Sequence, residues 1–520
     1  MAESIADILR SQGQRRPSSL AISGEGRSIT YGELDARSNQ LANALVEAGV
    51  AKGDRVAYID RNATEFWETA FAAAKIGAVI TPLNFRLSAP EIATILRDSE
   101  PSAVVIADSV LAELVPTWRP TPITTLVVGE HVVSKVSHEF SYEDALGAQD
   151  PHDPGASATG GELAVLMYSS GTTGPPKGIQ ITASNLLFAV ANFTNEFRPD
   201  ESSSNLVSPP YYHIAASGWS LIAMNVGGRI VQVREPLPRT LLSLMVSERT
   251  THAALVPAII RMIVEMPDAW DADFSSLRTV VYGSSPIDPV LLARAVELFD
   301  AEFTQSYGLT ETVGIGTLLR PADHVSTDTT RLKSAGRAAT DVEVDIVDFV
   351  TGKPVPTDEV GEIVISGPQV TPGYWRRPEE TAAMFHEGGG LRTGDAGRMD
   401  SQGYVYIVDR IKDIIVSGGE NIPPAEIEVV LMSHPRVLEA AVVGVPSDRW
   451  GETPMAFVVV RPGLSVEAQE LIDFCRENLA HYKCPTSVEF VPSLPRNPSG
   501  KVLRRELRGP YWAERDRSVG

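Results

Sequence analysis

A strand–helix–strand rhythm near the start of the chain limits the folds open to it more than any other feature. Residues 31–49 (YGELDARSNQLANALVEAG) place Leu34, Leu41 and Leu45 on one helical face, and Gly49 follows as a stop signal. DRVAYID (54–60) then reads as a strand, EFWETAFAAAKIG (65–77) as a helix and AVITPLN (78–84) as a second strand. Short apolar strands joined by helices pack as a parallel sheet covered by helices. The rhythm returns at 226–233, 240–249, 253–257 and 277–283, so one α/β body is expected to run to about residue 330.

Beyond that point the texture changes. VEVDIVD (342–348), GEIVIS (361–366) and GYVYIVD (403–409) are short β runs between Gly, Pro and Asp turns, and read as antiparallel. After residue 412 a helix, two apolar strands and a second helix make a small α+β unit. The expected division is therefore 1–411 and 412–520. Most of the net charge of −21 lies in the first part.

That charge argues against a nucleic-acid binder, which needs a basic face. No apolar run approaches the roughly 18–20 residues of a membrane span. The opening MAESIADILR has no apolar h-region, so no secretory signal is expected. Cys475 and Cys484 form neither a disulfide framework nor a zinc-site spacing, and the expected location is cytoplasmic.

The sharpest local signal is YSSGTTGPPKG (168–178), expected between an apolar strand and a helix. Ser169, Ser170, Thr172 and Thr173 offer hydroxyls, Gly171 and Gly174 let the backbone turn, and Lys177 adds a cation. Clustered donors with one ammonium suit a polyphosphate. The Walker A spacing is absent. GSSP (283–286) lacks the GxSxG of a serine hydrolase.

The full string resembles the phosphate-binding loop of the adenylate-forming superfamily, and the chain is identified as resembling its acyl-CoA synthetase branch. QSYGLTE (305–311), LRTGD (391–395, alone only a turn), DRIKDIIVSGGENIPPAEIE (409–428) and NPSGKVLRREL (497–507) match further family motifs in order. The resemblance implies an α/β fold: a large N-terminal domain of two α/β sheets with a β-barrel-like lobe, and a small mobile C-terminal domain. It implies ATP, Mg2+ and coenzyme A as reactants, and a carboxylic acid joined to CoA through acyl-AMP.

Carried onto this chain, Lys501 is the catalytic lysine, Glu311 holds magnesium and Thr310 touches the α-phosphate. The loop residues Ser169 to Gly174 and Lys177 hold phosphates; Gly283, Ser284, Ser285, Tyr307 and Gly308 hold the adenine; Asp395 and Arg410 hold the ribose. Lys412 is the hinge, and Gly418, Gly419, Glu420 and Trp450 meet CoA. Lys483, Arg504 and Arg505 are candidates for its anionic nucleotide. Where many relatives carry a His after the phosphate loop, this chain reads Thr182-Ala183-Ser184-Asn185.

The segment 208–228 resembles the acyl-pocket motif, with His213, Ala215, Trp219 and Met224 as its elements. It has no Asp to hold an amine. Small residues at 215–217 leave room. The expected acid is apolar: a medium or long fatty acid, or a bulky polycyclic one. Two alternatives stand beside the CoA ligase: a ligase loading a carrier protein, and a non-catalytic nucleotide-binding relative. A homodimer is left open.

Overall fold

In the computed structural model, residues 3–118, 123–129, 138–169, 176–285, 287–325, 330–418, 420–496 and 501–513 are described. They fall into two compact units. The first comprises Met1–Ser169, Pro176–Val344 and Ile365–Leu391; the second takes Asp345–Val364 and everything from Arg392.

Two sheets organise the first unit. The nine-stranded one runs Arg337–Ala338, Thr317–Leu319, Glu302–Tyr307, Thr279–Gly283, His252–Leu255, Ser204–Val207, Arg229–Gln232, Leu20–Gly24, Ile29–Thr30. Its central strands are parallel, as the repeated rhythm requires. The seven-stranded one runs Glu139–Ser141, Thr124–Val128, Ala103–Ala107, Arg55–Ile59, Val79–Pro82, Leu163–Ser169, Lys177–Thr182. Its inner strands, such as Ala103–Ala107 (AVVIA), are near-continuous apolar runs, the mark of a sheet buried on both faces.

The helix Thr64–Ile76 buries nearly its whole surface, which explains its run of small residues around Phe66, Trp67 and Phe71. Its Lys75 is fully buried. The ammonium donates to Asp35 Oδ1 at 2.6 Å, Ser38 Oγ at 2.9 Å and Asn39 Oδ1 at 2.5 Å, all on the helix Tyr31–Glu47. Three good acceptors offset the cost of taking the charge out of water.

In the second unit the lobe expected as barrel-like is a four-stranded sheet in chain order, Glu343–Val347, Gly361–Ser366, Leu391–Met399 and Val405–Arg410. LRTGD is thus the start of a strand rather than a turn, since its alternate residues Leu391 and Thr393 are buried. The C-terminal sheet pairs Val437–Ser447 with Gly451–Val460 along their length, and carries the helices Pro424–Ser433 and Ala468–Asn478.

Residue 412 lies within the second compact unit. Asp409 Oδ2 accepts the Ala425 N–H at 2.8 Å, and Arg504 reaches both Glu428 and Asp413, so the strand before residue 412 packs with the elements after it. No helix among the described residues is long and apolar enough to cross a membrane.

Candidate active site

The phosphate-loop motif is not followed directly by a helix, as its sequence suggested. KGIQIT (177–182) alternates apolar and polar residues and forms a strand antiparallel to Leu163–Ser169, with Ser169 opposite Lys177. The loop therefore joins a hairpin, and the helix Ala183–Phe197 begins only after it. Thr182 and Asn185 form that helix's capping box, which accounts for the TASN segment locally. Ser170, Gly171, Thr172, Thr173 and Gly174 lie outside the described residues, as does the Ser169 side chain. Lys177 Nζ lies 2.5 Å from Glu380 Oε2 and 5.1 Å from the centre of the Tyr374 ring.

At the C-terminal ends of the parallel strands, the usual place for a ligand in such sheets, three of the candidate segments emerge. Gly283 ends one strand and Tyr307 its neighbour, in register at Gly283 and Ser306. A Cβ on Gly283 would meet the Ser306 carbonyl oxygen at 2.4 Å, so only glycine allows this approach. Ser284, with φ of +67°, and Ser285 follow, both exposed. After Tyr307, Gly308 leads into the short turn Thr310–Thr312 that carries Glu311. His213 ends the segment after Ser204–Val207 and forms the N-cap of the helix Ile214–Val226, half-buried against the Tyr212 ring.

Glu311 is held from a distant segment. Its main-chain oxygen accepts the Thr371 N–H at 2.8 Å, and its Oε1 accepts the Tyr374 phenol at 3.0 Å. Burial and the adjacent Glu311 push the Tyr374 phenol up, which keeps it a donor. Among the described residues no three His, Cys, Asp or Glu side chains gather to hold a metal. One hard carboxylate oxygen beside phosphates fits Mg2+, which keeps waters and needs only one or two carboxylates.

The acyl-pocket elements separate. Ala215 is exposed near His213, but Trp219 and Met224 are packed core. The Trp219 indole donates to the Leu206 carbonyl at 3.1 Å and meets Phe197 and His252 edge-on. The helix face bearing Trp219 packs on the sheet, so the indole sits in the core. His252 stays neutral: burial, then Arg278, pull its pKa down to about 4.

In the second unit Asp395 and Arg410 are opposite each other on neighbouring strands, and Arg410 Nε lies 2.8 Å from Asp395 Oδ1. The Asp395 backbone is fixed by the Thr393 hydroxyl, which accepts its N–H at 3.1 Å and donates to the Ile363 carbonyl. Lys412 is half-buried in the turn Ile411–Asp413, and burial lowers its pKa. Gly418, at φ +60°, donates its N–H to the Trp450 carbonyl at 2.8 Å, and a Cβ there would press on the indole at 2.8 Å. Trp450 is half-exposed with Arg449 stacked on it, and Glu420 pairs with Ser417 in the adjacent hairpin. Gly419 lies outside the described residues.

Lys501 is exposed, three residues before the helix Arg504–Trp512. Arg504 is half-buried and already paired with a carboxylate, donating from Nη2 to Glu428 Oε2 at 2.7 Å and Oε1 at 2.9 Å. Lys483 is likewise paired, with Glu426 at 2.7 Å. Tyr374, Glu380, Asp409 and Glu428 escaped the sequence reading; the string GYWRRPEET (373–381) was the signal for the first two.

Residues 9–375 match the family described as AMP-binding enzyme, and 426–501 match the AMP-binding enzyme C-terminal domain. A fatty acid–[acyl-carrier-protein] ligase of Streptomyces coeruleorubidus is 39% identical over 514 residues, covering 97% of this chain and 96% of that one. A feruloyl-CoA synthase of an Amycolatopsis species is 39% identical over 493 residues, covering 95% and 96%. The crystal structure of ATP-bound MatB from Rhodopseudomonas palustris superposes with a TM-score of 0.87 at 29% identity, covering 97% and 99%.

Proposed function

The chain belongs to the AMP-binding enzyme family as an AMP-forming acid–CoA ligase, and on that premise we propose how its residues divide the work and which acids it takes. A carboxylate oxygen attacks the α-phosphorus of ATP; the new O–P bond forms as the bond to pyrophosphate breaks. The CoA thiolate then attacks the acyl carbon, and AMP leaves. Both steps need charge stabilisation and alignment more than proton transfer.

Lys177, Thr310 and the loop from Ser169 to Gly174 take the phosphates. Gly283, Ser284, Ser285, Tyr307 and Gly308 wall the adenine. Asp395 accepts both ribose hydroxyls, steadied by Arg410. Glu311 would hold Mg2+, which when bound neutralises phosphate charge. Lys501 donates to the carboxylate and the phosphate bridge during adenylation. Rotation about Lys412 then withdraws it and presents Gly418, Gly419, Glu420 and Trp450 to CoA. The boundary between the parts that move is residue 412.

His213 and Ala215 face the acid, which is an apolar carboxylic acid, medium- or long-chain or polycyclic. The cytoplasm supplies the CoA. The observation that supports this reading best is the emergence of His213, Gly283, Tyr307 and Glu311 at one edge of one parallel sheet. The test is mass spectrometry of products after incubation with ATP, Mg2+, CoA and acids from acetate to long-chain, aromatic and polycyclic. An acyl-CoA from one class of acids is the expected result. A second reading, transfer to a carrier protein, draws on the 39% identity to an acyl-carrier-protein ligase. Acyl-AMP accumulating with CoA untouched would favour it.

A further inference from the structure

We propose that Tyr374 is a positioning residue for the Glu311 carboxylate, setting the affinity of the nucleotide site for its divalent cation. The inference rests on the reading of Glu311 as the cation's protein ligand.

Glu311 stands on a turn of three residues, Thr310–Thr312, which by itself fixes little of a side chain with three rotatable bonds. Mg2+ demands near-octahedral geometry at about 2.0–2.1 Å, so a lone carboxylate must present its oxygen in one orientation. Groups that hydrogen-bond a ligating carboxylate supply that orientation, and their loss typically costs about 10–100-fold in metal affinity or activity. The Tyr374 phenol donates to Glu311 Oε1 at 3.0 Å.

Tyr374 is itself held rigidly. Its N–H donates to Thr381 Oγ1 at 2.9 Å. On either side of it the main chain is bonded to the strand Lys177–Thr182: Gln180 N–H to the Gly373 carbonyl at 3.1 Å, and Trp375 N–H to the Gly178 carbonyl at 2.7 Å. Gly373 has φ of +138°, and a Cβ there would lie 2.2 Å from Thr381 Cγ2, so the bend admits only glycine. The same ring stands 5.1 Å from Lys177 Nζ. One side chain thus touches the carboxylate and the lysine of the phosphate-loop hairpin, from a backbone bonded to that hairpin.

The experiment is calorimetric titration of the full-length protein with ATP, in EDTA and at graded Mg2+, without acid or CoA so that nothing turns over. Wild type, Tyr374→Phe and Glu311→Gln are compared; Phe keeps the ring over Lys177 and removes only the hydroxyl. Tyr374→Phe is expected to raise the Mg2+ concentration for half-maximal tightening of ATP by about 10-fold or more, with ATP affinity in EDTA within twofold of wild type. Glu311→Gln is expected to abolish the tightening. A wild-type Mg2+ response in Tyr374→Phe, with the response lost in Glu311→Gln, overturns the proposal. Equal weakening of ATP with and without Mg2+ in Tyr374→Phe also overturns it, since that marks a general packing role. A wild-type Mg2+ response in Glu311→Gln overturns the assignment of Glu311, and the proposal with it.

Discussion

Asp409 caps a helix that begins on the far side of Lys412: its Oδ2 accepts the Ala425 N–H at 2.8 Å, while its Oδ1 accepts the Arg410 N–H at 2.7 Å. The helix Pro424–Ser433 has Pro423 at its N-cap, which offers no side-chain acceptor. Losing a cap costs about 1 kcal/mol. Asp409→Ala is expected to destabilise the unit that holds this helix by that amount and to lower its melting temperature. Asp409→Asn, which keeps a carbonyl acceptor, is expected to lose less than half as much; differential scanning calorimetry reads both.

Arg504 and Glu428 are a partly buried ion pair 76 residues apart in the chain, with side chains 22% and 12% exposed. Removing one partner of a fully buried pair leaves an uncompensated charge and costs about 3–5 kcal/mol, a cost that solvent access lowers here, whereas replacing both by apolar residues is often neutral. Arg504→Met is expected to be strongly destabilising, and the double variant with Glu428→Met to recover most of the loss. Thermal melts of the two single variants and the double variant check this.

Lys501→Ala is expected to slow acyl-AMP formation by about 100-fold or more, the scale of losing one preorganised charge donor. Thioester formation from preformed acyl-AMP is expected to change less than threefold. Measuring the two half-reactions separately, by pyrophosphate exchange and by CoA consumption, decides it.

His252 makes stability depend on pH in a defined window. Its folded pKa of about 4 lies below the unfolded value near 6.5, so above pH 6.5 the ring is neutral in both states. As pH falls from about 6.5 to about 4 the unfolded state takes up the proton first, and stability is lost by about 3 kcal/mol; below that the loss levels off. The hydrogen bonds agree with a neutral ring: Nε2 lies 3.2 Å from the Phe197 carbonyl oxygen, and Nδ1 2.8 Å from the Thr251 hydroxyl. His252→Gln is expected to flatten the melting temperature over this range.

Trp219→Ala is expected to shift selectivity toward longer acids by about 10-fold in kcat/KM, at a stability cost of about 3–5 kcal/mol for an emptied aromatic site. Trp219 lies one helical turn after Ala215 on the same helix, so truncating it is expected to open room on that side of the helix. Competition assays with pairs of acids of different length measure the shift.

Local pattern carried much of this protein. The strand at 55–59 and the helix at 64–76 follow from apolar runs, glycine stops and small-residue content within a few residues. The adenylate-forming motifs are contiguous strings, so their chemistry was legible before any contact was known. The hairpin at 163–182 is hard to read locally because the alternation over 177–182 runs directly into a helix that starts one residue later.

What residues do to one another across long stretches of chain was decided only by the tertiary structure. Tyr374 and Glu311 are 63 residues apart, and no periodicity links them. Whether Trp219 lines a pocket or fills a core depends on which sheet its helix covers, and Arg504 is drawn partly out of solvent by its pairing with Glu428. Local conformation is dictated by short-range sterics and hydrogen bonding that neighbouring residues specify. Burial and ion pairing depend on surfaces brought together by folding, and those surfaces exist only once the sheets have formed.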